Sequence, residues 1–115
     1  MAVYVFGSGG NTTIPQYIAY PPKGYVPQQL VYGRWSFSIP GADFSSASVA
    51  MTGPSGNVPL TVNSVVNGYG DNTIVWEPTG INLSSASDVT YTVTINGIGG
   101  ATSTSYTYNV IVIQP

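Results

Sequence analysis

The chain contains no cysteine and no histidine. It therefore has no thiolate nucleophile, no imidazole base, no Ser-His-Asp relay and no ordinary zinc, copper or haem site. Disulfides are excluded as well, so the fold must hold by packing alone, and a cysteine-free chain suits an exported bacterial protein as well as a cytoplasmic one. Charge is nearly absent too: Lys23 and Arg34 are the cations, Asp43, Asp71, Glu77 and Asp88 the acids, for a net charge of −2. Two separated cations cannot displace the counterions of a polyanion, which argues against a nucleic-acid partner and against an anionic membrane surface. No apolar run approaches the roughly 18 residues of a spanning helix, so membrane insertion is not expected. The first residues lack the basic-then-apolar order of a signal peptide, and export would depend on a signal outside this sequence.

What stands in place of ions is Ser, Thr, Asn and Gly, a surface chemistry that points outside the cell, to a secreted or cell-surface location. The 115 residues amount to one domain, long enough to bury a core.

The apolar period is two. Trp35, Phe37 and Ile39 alternate with Arg34, Ser36 and Ser38, and Val89, Tyr91, Val93 and Ile95 alternate with Thr90, Thr92, Thr94 and Asn96. Ala47-Val49-Met51, Val58-Leu60-Val62, Ile74-Trp76 and Tyr106-Tyr108-Val110-Val112 repeat the pattern. Turn residues separate the runs: Pro40-Gly41-Ala42-Asp43, Gly53-Pro54-Ser55-Gly56-Asn57, residues 67–72, Pro78-Thr79-Gly80 and Asn96-Gly97-Ile98-Gly99-Gly100. Short strands punctuated in this way predict an all-β fold, an antiparallel two-sheet sandwich of about seven strands with immunoglobulin-like topology. The alternation places Trp35, Phe37, Val49, Leu60, Trp76, Tyr91, Val93 and Val110 in the core.

Residues 1–26 read differently. The apolar run Ala2-Val3-Tyr4-Val5-Phe6 ends in Gly7-Ser8-Gly9-Gly10, and Tyr20-Pro21-Pro22-Lys23-Gly24-Tyr25-Val26-Pro27 is rich enough in proline to be extended and stiff. The expected organisation is an N-terminal extension or linker over 1–26, with the Ala2–Phe6 run as a candidate added edge strand, and the sandwich over 27–115.

The most chemically suggestive stretch is Gly68-Tyr69-Gly70-Asp71-Asn72-Thr73-Ile74-Val75-Trp76-Glu77-Pro78, which holds two of the four acids. A tight loop explains Gly68, Gly70 and Asn72 without a ligand. Asp71, Asn72 and Glu77 are also the calcium candidates, provided the loops converge, although their spacing matches no EF-hand pattern. Paired carboxylates for glycoside hydrolysis would need a cleft that a sandwich of this size does not offer, and Asp43 and Asp88 suit turn capping better. No catalytic residue and no cofactor is expected. Exposed tyrosines could stack on sugar rings, and Tyr25, Tyr32 and Tyr69, with Tyr17 and Tyr20, are the ligand candidates.

The string from Pro21 through Val62, continuing in the stretch from Asn67 to Ile81, resembles the Ig-like module that accompanies CAP-superfamily (SCP-like) domains in secreted bacterial proteins. The likeness runs over most of residues 20–113. It implies location and company: outside the cell, attached to other domains, with no catalytic residue of its own. The function expected from sequence is thus a non-catalytic extracellular module acting as spacer, adhesion or protein-interaction domain of a larger secreted protein. Its partners would be neighbouring domains or another protein. The alternative is a carbohydrate-binding module with polysaccharide as its ligand.

Overall fold

A computed structural model describes residues 17–66, 71–100 and 104–115. These form nine strands: β1 (Ile18–Tyr20), β2 (Gly24–Val26), β3 (Trp35–Pro40), β4 (Ser48–Gly53), β5 (Gly56–Asn57), β6 (Leu60–Val66), β7 (Asp71–Pro78), β8 (Val89–Asn96) and β9 (Ser105–Val112). The one helical element described is a single 3-10 turn at Gln28–Leu30. One sheet has the order β1-β3-β7-β6, the other β2-β9-β8-β4-β5. That is the immunoglobulin arrangement: four strands in the first sheet, the hairpin partners β8 and β9 at the centre of the second, and a first strand divided between the two. All pairings are antiparallel except β2 with β9, which is parallel.

The two strands beyond the expected seven come mainly from the proline-rich stretch. Residues 18–26 are not a connector ahead of the sandwich but belong to it, β1 pairing with β3 and β2 with β9. Pro21 and Pro22 fall between them, where the chain changes sheets. Proline lacks a ladder donor and is tolerated at the margins of edge strands, so the residues that read as a stiff linker can equally line two edges. The Ala2–Phe6 run lies outside the described residues.

Alternation places the core as the sequence predicts in β3 and β8, where the burial pattern strictly follows parity. Trp35, Phe37, Trp76, Tyr91, Val93 and Val110 are all buried. Trp35 and Trp76 sit opposite one another in the β3–β7 ladder, their rings 6.5 Å apart and tilted by 49°. Each indole N–H has a partner: Trp35 donates to the Val31 carbonyl at 3.2 Å, Trp76 to Met51 Sδ at 3.4 Å.

Val49 and Leu60, expected in the core, are only half-buried, and Val62 is 45 % exposed. For Leu60 and Val62 the reason is position, since β6 is the end strand of its sheet, and Val49 stands at the start of β4.

Candidate functional site

The exposed tyrosines come from the segment that wraps the β1–β2 flank. Tyr20 ends β1. Tyr25 stands at the middle of β2, paired with Ile111 and 69 % exposed, while its neighbour Val26 faces the core. Tyr32 follows the 3-10 turn, 63 % exposed, just before Gly33, whose φ of 79° lies in the left-handed region that glycine favours. Among the described residues, ring-to-ring contacts involve Tyr17, Trp35, Phe37, Phe44, Trp76, Tyr106 and Tyr108, so Tyr20, Tyr25 and Tyr32 do not form a stacked pair. Tyr69 lies outside the described residues.

Tyr17, grouped with the exposed tyrosines by sequence, is instead half-buried against the core. Its ring centroid is 5.0 Å from that of Phe37 and about as close to those of Tyr106 (5.9 Å) and Tyr108 (6.0 Å). Burial, and secondarily the neighbouring Tyr106, pushes its phenol pKa upward. Burial does the same more strongly to Tyr108, with Tyr17 adding to it. The Tyr108 hydroxyl is enclosed and makes no hydrogen bond.

The calcium candidates do not converge. Asp71 and Glu77 are the first and seventh residues of β7, six positions apart on one strand, which at about 3.4 Å per residue is about 20 Å. Asp71 opposes Pro40 and Glu77 opposes Thr61. The Asn72 side-chain amide donates to the Ala42 carbonyl, fastening the start of β7 to the turn after β3. Among the described residues there is no group of three or more Asp, Glu, His or Cys placed to hold a metal ion.

Asp43 caps its own turn as the sequence predicts, whereas Asp88 accepts from a residue 26 positions away and not from its own turn. The Ser45 hydroxyl and then the Ser45 amide donate to the Asp43 carboxylate and hold it below the usual carboxylate range. Asp88 accepts from the Gln114 amide at 3.0 Å.

A polar junction that the sequence gives no sign of lies where the chain leaves the sandwich. The Gln114 side chain donates to the Asn82 carbonyl at 3.0 Å and accepts from the Ser85 amide at 2.9 Å. Gln28 donates to the Leu83 carbonyl at 2.9 Å, and the Asn82 amide donates to the Tyr91 phenol oxygen at 2.7 Å. Residues 82–85, with no strand partner of their own, are thus tied to β8, the C-terminal tail and the 3-10 turn. A tyrosine near the start of this strand bonding back to the preceding loop is the tyrosine corner of immunoglobulin-type sandwiches. Such contacts link residues up to 55 positions apart, and no local pattern encodes them.

The first and last of the described segments lie at opposite poles. Tyr17 packs on Tyr106 and Tyr108 near the start of β9, whereas Gln114 follows the end of that strand. The eight residues of β9 separate the two by about 25 Å.

Between the poles, the outer face of the second sheet is an uncharged field of small polar groups. Thr90, Thr92 and Thr94 alternate along β8. Thr92 donates to Asn109 at 2.9 Å, the Thr94 and Thr107 hydroxyls lie 3.3 Å apart, and Ser105 donates to Asn96 at 2.8 Å. These side chains satisfy one another across the strands. Comparison with protein-family models, with curated proteins and with solved structures yielded no match to this chain.

Proposed function

We propose that the chain is a non-catalytic extracellular immunoglobulin-like module, a spacer, adhesion or protein-interaction domain within a larger secreted protein. The observation that carries this reading is the placement of the first and last described residues at opposite poles, with Tyr17 at one end of β9 and Gln114 beyond the other. A domain built this way can be set in series with others without the chain doubling back. Its partners are then neighbouring domains of the same secreted chain or another protein. The near-absence of ions and the Ser, Thr and Asn surface support an extracellular setting.

A second reading, carbohydrate binding, is favoured by the exposure of Tyr25 and Tyr32. The two are separated by passing the full chain over insoluble cellulose, chitin and peptidoglycan and over a glycan array. The spacer reading expects no retention. Retention that Tyr25→Ala or Tyr32→Ala abolishes would replace it with the carbohydrate reading.

A further inference from the structure

Asparagine followed two residues later by serine or threonine, with any residue but proline between, is the acceptor pattern for N-linked glycans. The sequence holds it twice, at Asn11-Thr12-Thr13 and at Asn82-Leu83-Ser84. Asn11 lies outside the described residues. Asn82 is in the connection from β7 to β8, where Asn82 and Ser84 are exposed and Leu83, between them, is half-buried and packs on the core. The two side chains that the pattern requires therefore stand together on the solvent side of one loop.

The surroundings of Asn82 are a second, independent observation. Its backbone is fixed on both sides: the amide donates to the Tyr91 phenol oxygen at 2.7 Å, and the carbonyl accepts from the Gln114 side chain at 3.0 Å. Its side chain is engaged through the oxygen alone, Oδ1 accepting from the Ser84 amide at 3.0 Å. Among the described residues nothing bonds to Nδ2 of Asn82 or to the Ser84 hydroxyl. The nitrogen that would carry a sugar is thus the one polar group of Asn82 on which no contact of the fold depends. A glycosylated amide keeps its oxygen and one N–H, so the Ser84 contact and both backbone bonds survive the modification, and the sugar extends into water.

We propose that Asn82 is an N-glycan attachment site. Its Nδ2 attacks the anomeric carbon of an oligosaccharide carried on a lipid pyrophosphate. The C–N bond forms as the bond from that carbon to the pyrophosphate oxygen breaks, the lipid pyrophosphate leaves with the electron pair, and Nδ2 gives up one proton to the transferase. The Ser84 hydroxyl is the group by which the transferase recognises the acceptor. Transfer to an entering chain precedes folding, so the fold decides whether the product is tolerated, and an exposed, unengaged Nδ2 meets that condition. Use of the site in the organism rests on the extracellular reading above, because this transfer belongs to the export route.

The test translates the full chain behind a cleavable signal sequence into microsomes of the endoplasmic reticulum, which supply entry, donor and transferase. Asn11→Gln is carried throughout, leaving Asn82 as the acceptor. One glycan should be added, seen as a gel shift that peptide-N-glycosidase reverses, with aspartate at position 82 in the resulting peptide mass. Ser84→Ala leaves the backbone contact to Asn82 in place and should abolish the shift, whereas Ser84→Thr should retain it. The glycosylated chain should melt cooperatively, at the midpoint of the bare one. A chain left bare at Asn82 overturns the proposal. So does a shift that survives Ser84→Ala, and so does a glycosylated chain that no longer melts cooperatively. Because the microsomes supply entry, none of these outcomes depends on where the chain resides, and failure of the site is distinct from failure of the extracellular reading.

Discussion

The backbone amide of Asn82 donates to the phenol oxygen of Tyr91 at 2.7 Å, across nine residues, and so fixes the loop between the two sheets to the buried side of β8. Removing the acceptor breaks this part-buried bond. Tyr91→Phe should therefore destabilise the domain by about 0.5–1.5 kcal/mol, read as a lower midpoint in urea with an unchanged slope.

The same substitution at Tyr108 should act in the opposite sense. Its hydroxyl is buried without a partner, so deleting the oxygen removes a desolvation cost and breaks nothing. Tyr108→Phe should be neutral or stabilising by up to about 1 kcal/mol. A loss comparable to that of Tyr91→Phe would show that the hydroxyl is bonded after all.

Alkaline pH should weaken the fold through the Tyr17–Tyr108 cluster. Burial raises both phenol pKa values in the native state, whereas in the unfolded chain they ionise at about 10. Unfolding then releases protons, so stability is intact below pH about 10 and falls as pH rises through it. Thermal melts from neutral pH to above this point should show the decline, and Tyr108→Phe should make it shallower.

Tyr91 is also pressed from its other side. A Cβ on Gly53 would stand 2.8 Å from the ring carbon Cε1 and 3.0 Å from Cδ1, in a ring already held by its hydroxyl. Gly53→Ala should cost about 1–3 kcal/mol by overpacking, and the double variant Gly53→Ala/Tyr91→Phe should lose less than the sum, because a ring freed from Asn82 can yield.

Calcium should leave the melting midpoint where it is. Asp71 and Glu77 are too far apart along β7 to share an ion, and Asn72 is engaged with Ala42. A bound ion would instead stabilise by about 2.7 kcal/mol at a hundredfold excess over its dissociation constant. Melts with millimolar calcium and then with chelator distinguish the two, and Asp71→Ala should behave as the parent does in both.

The regions of this fold legible in the sequence are those where neighbours along the chain decide the outcome. In β3 and β8 the alternation of Trp35, Phe37 and Ile39, and of Val89, Tyr91, Val93 and Ile95, is sufficient, because both strands are internal to their sheets and covered from end to end. In β6 the same alternation misleads, since Val62 faces inward yet is exposed, a consequence of β6 standing at the end of its sheet and not of Val62 itself. Tyr17 is misread for the converse reason: the rings that bury it include Tyr106 and Tyr108, some ninety residues on. β1 and β2 carry too few residues for a period to show. Of the candidate site, the exposure of Tyr25 and Tyr32 and the capping by Asp43 are local properties and could be read directly, whereas the Asp88 bond to Gln114 is not. The Gln28, Asn82 and Gln114 junction depends on where three distant segments meet.

The parallel pairing of β2 with β9 also sets how the domain answers to tension. Under a load applied at Tyr17 and Gln114, β2 is drawn one way and β9 the opposite way, along the strand axes and not across them. The paired residues Gly24–Val110, Tyr25–Ile111 and Val26–Val112 then bear the load together, in shear, where a hairpin pulled open from its end would lose its bonds singly, in succession. β1 meets β3 in the same loading geometry. Two edge strands of three residues each would thus resist such a load together, not one bond at a time.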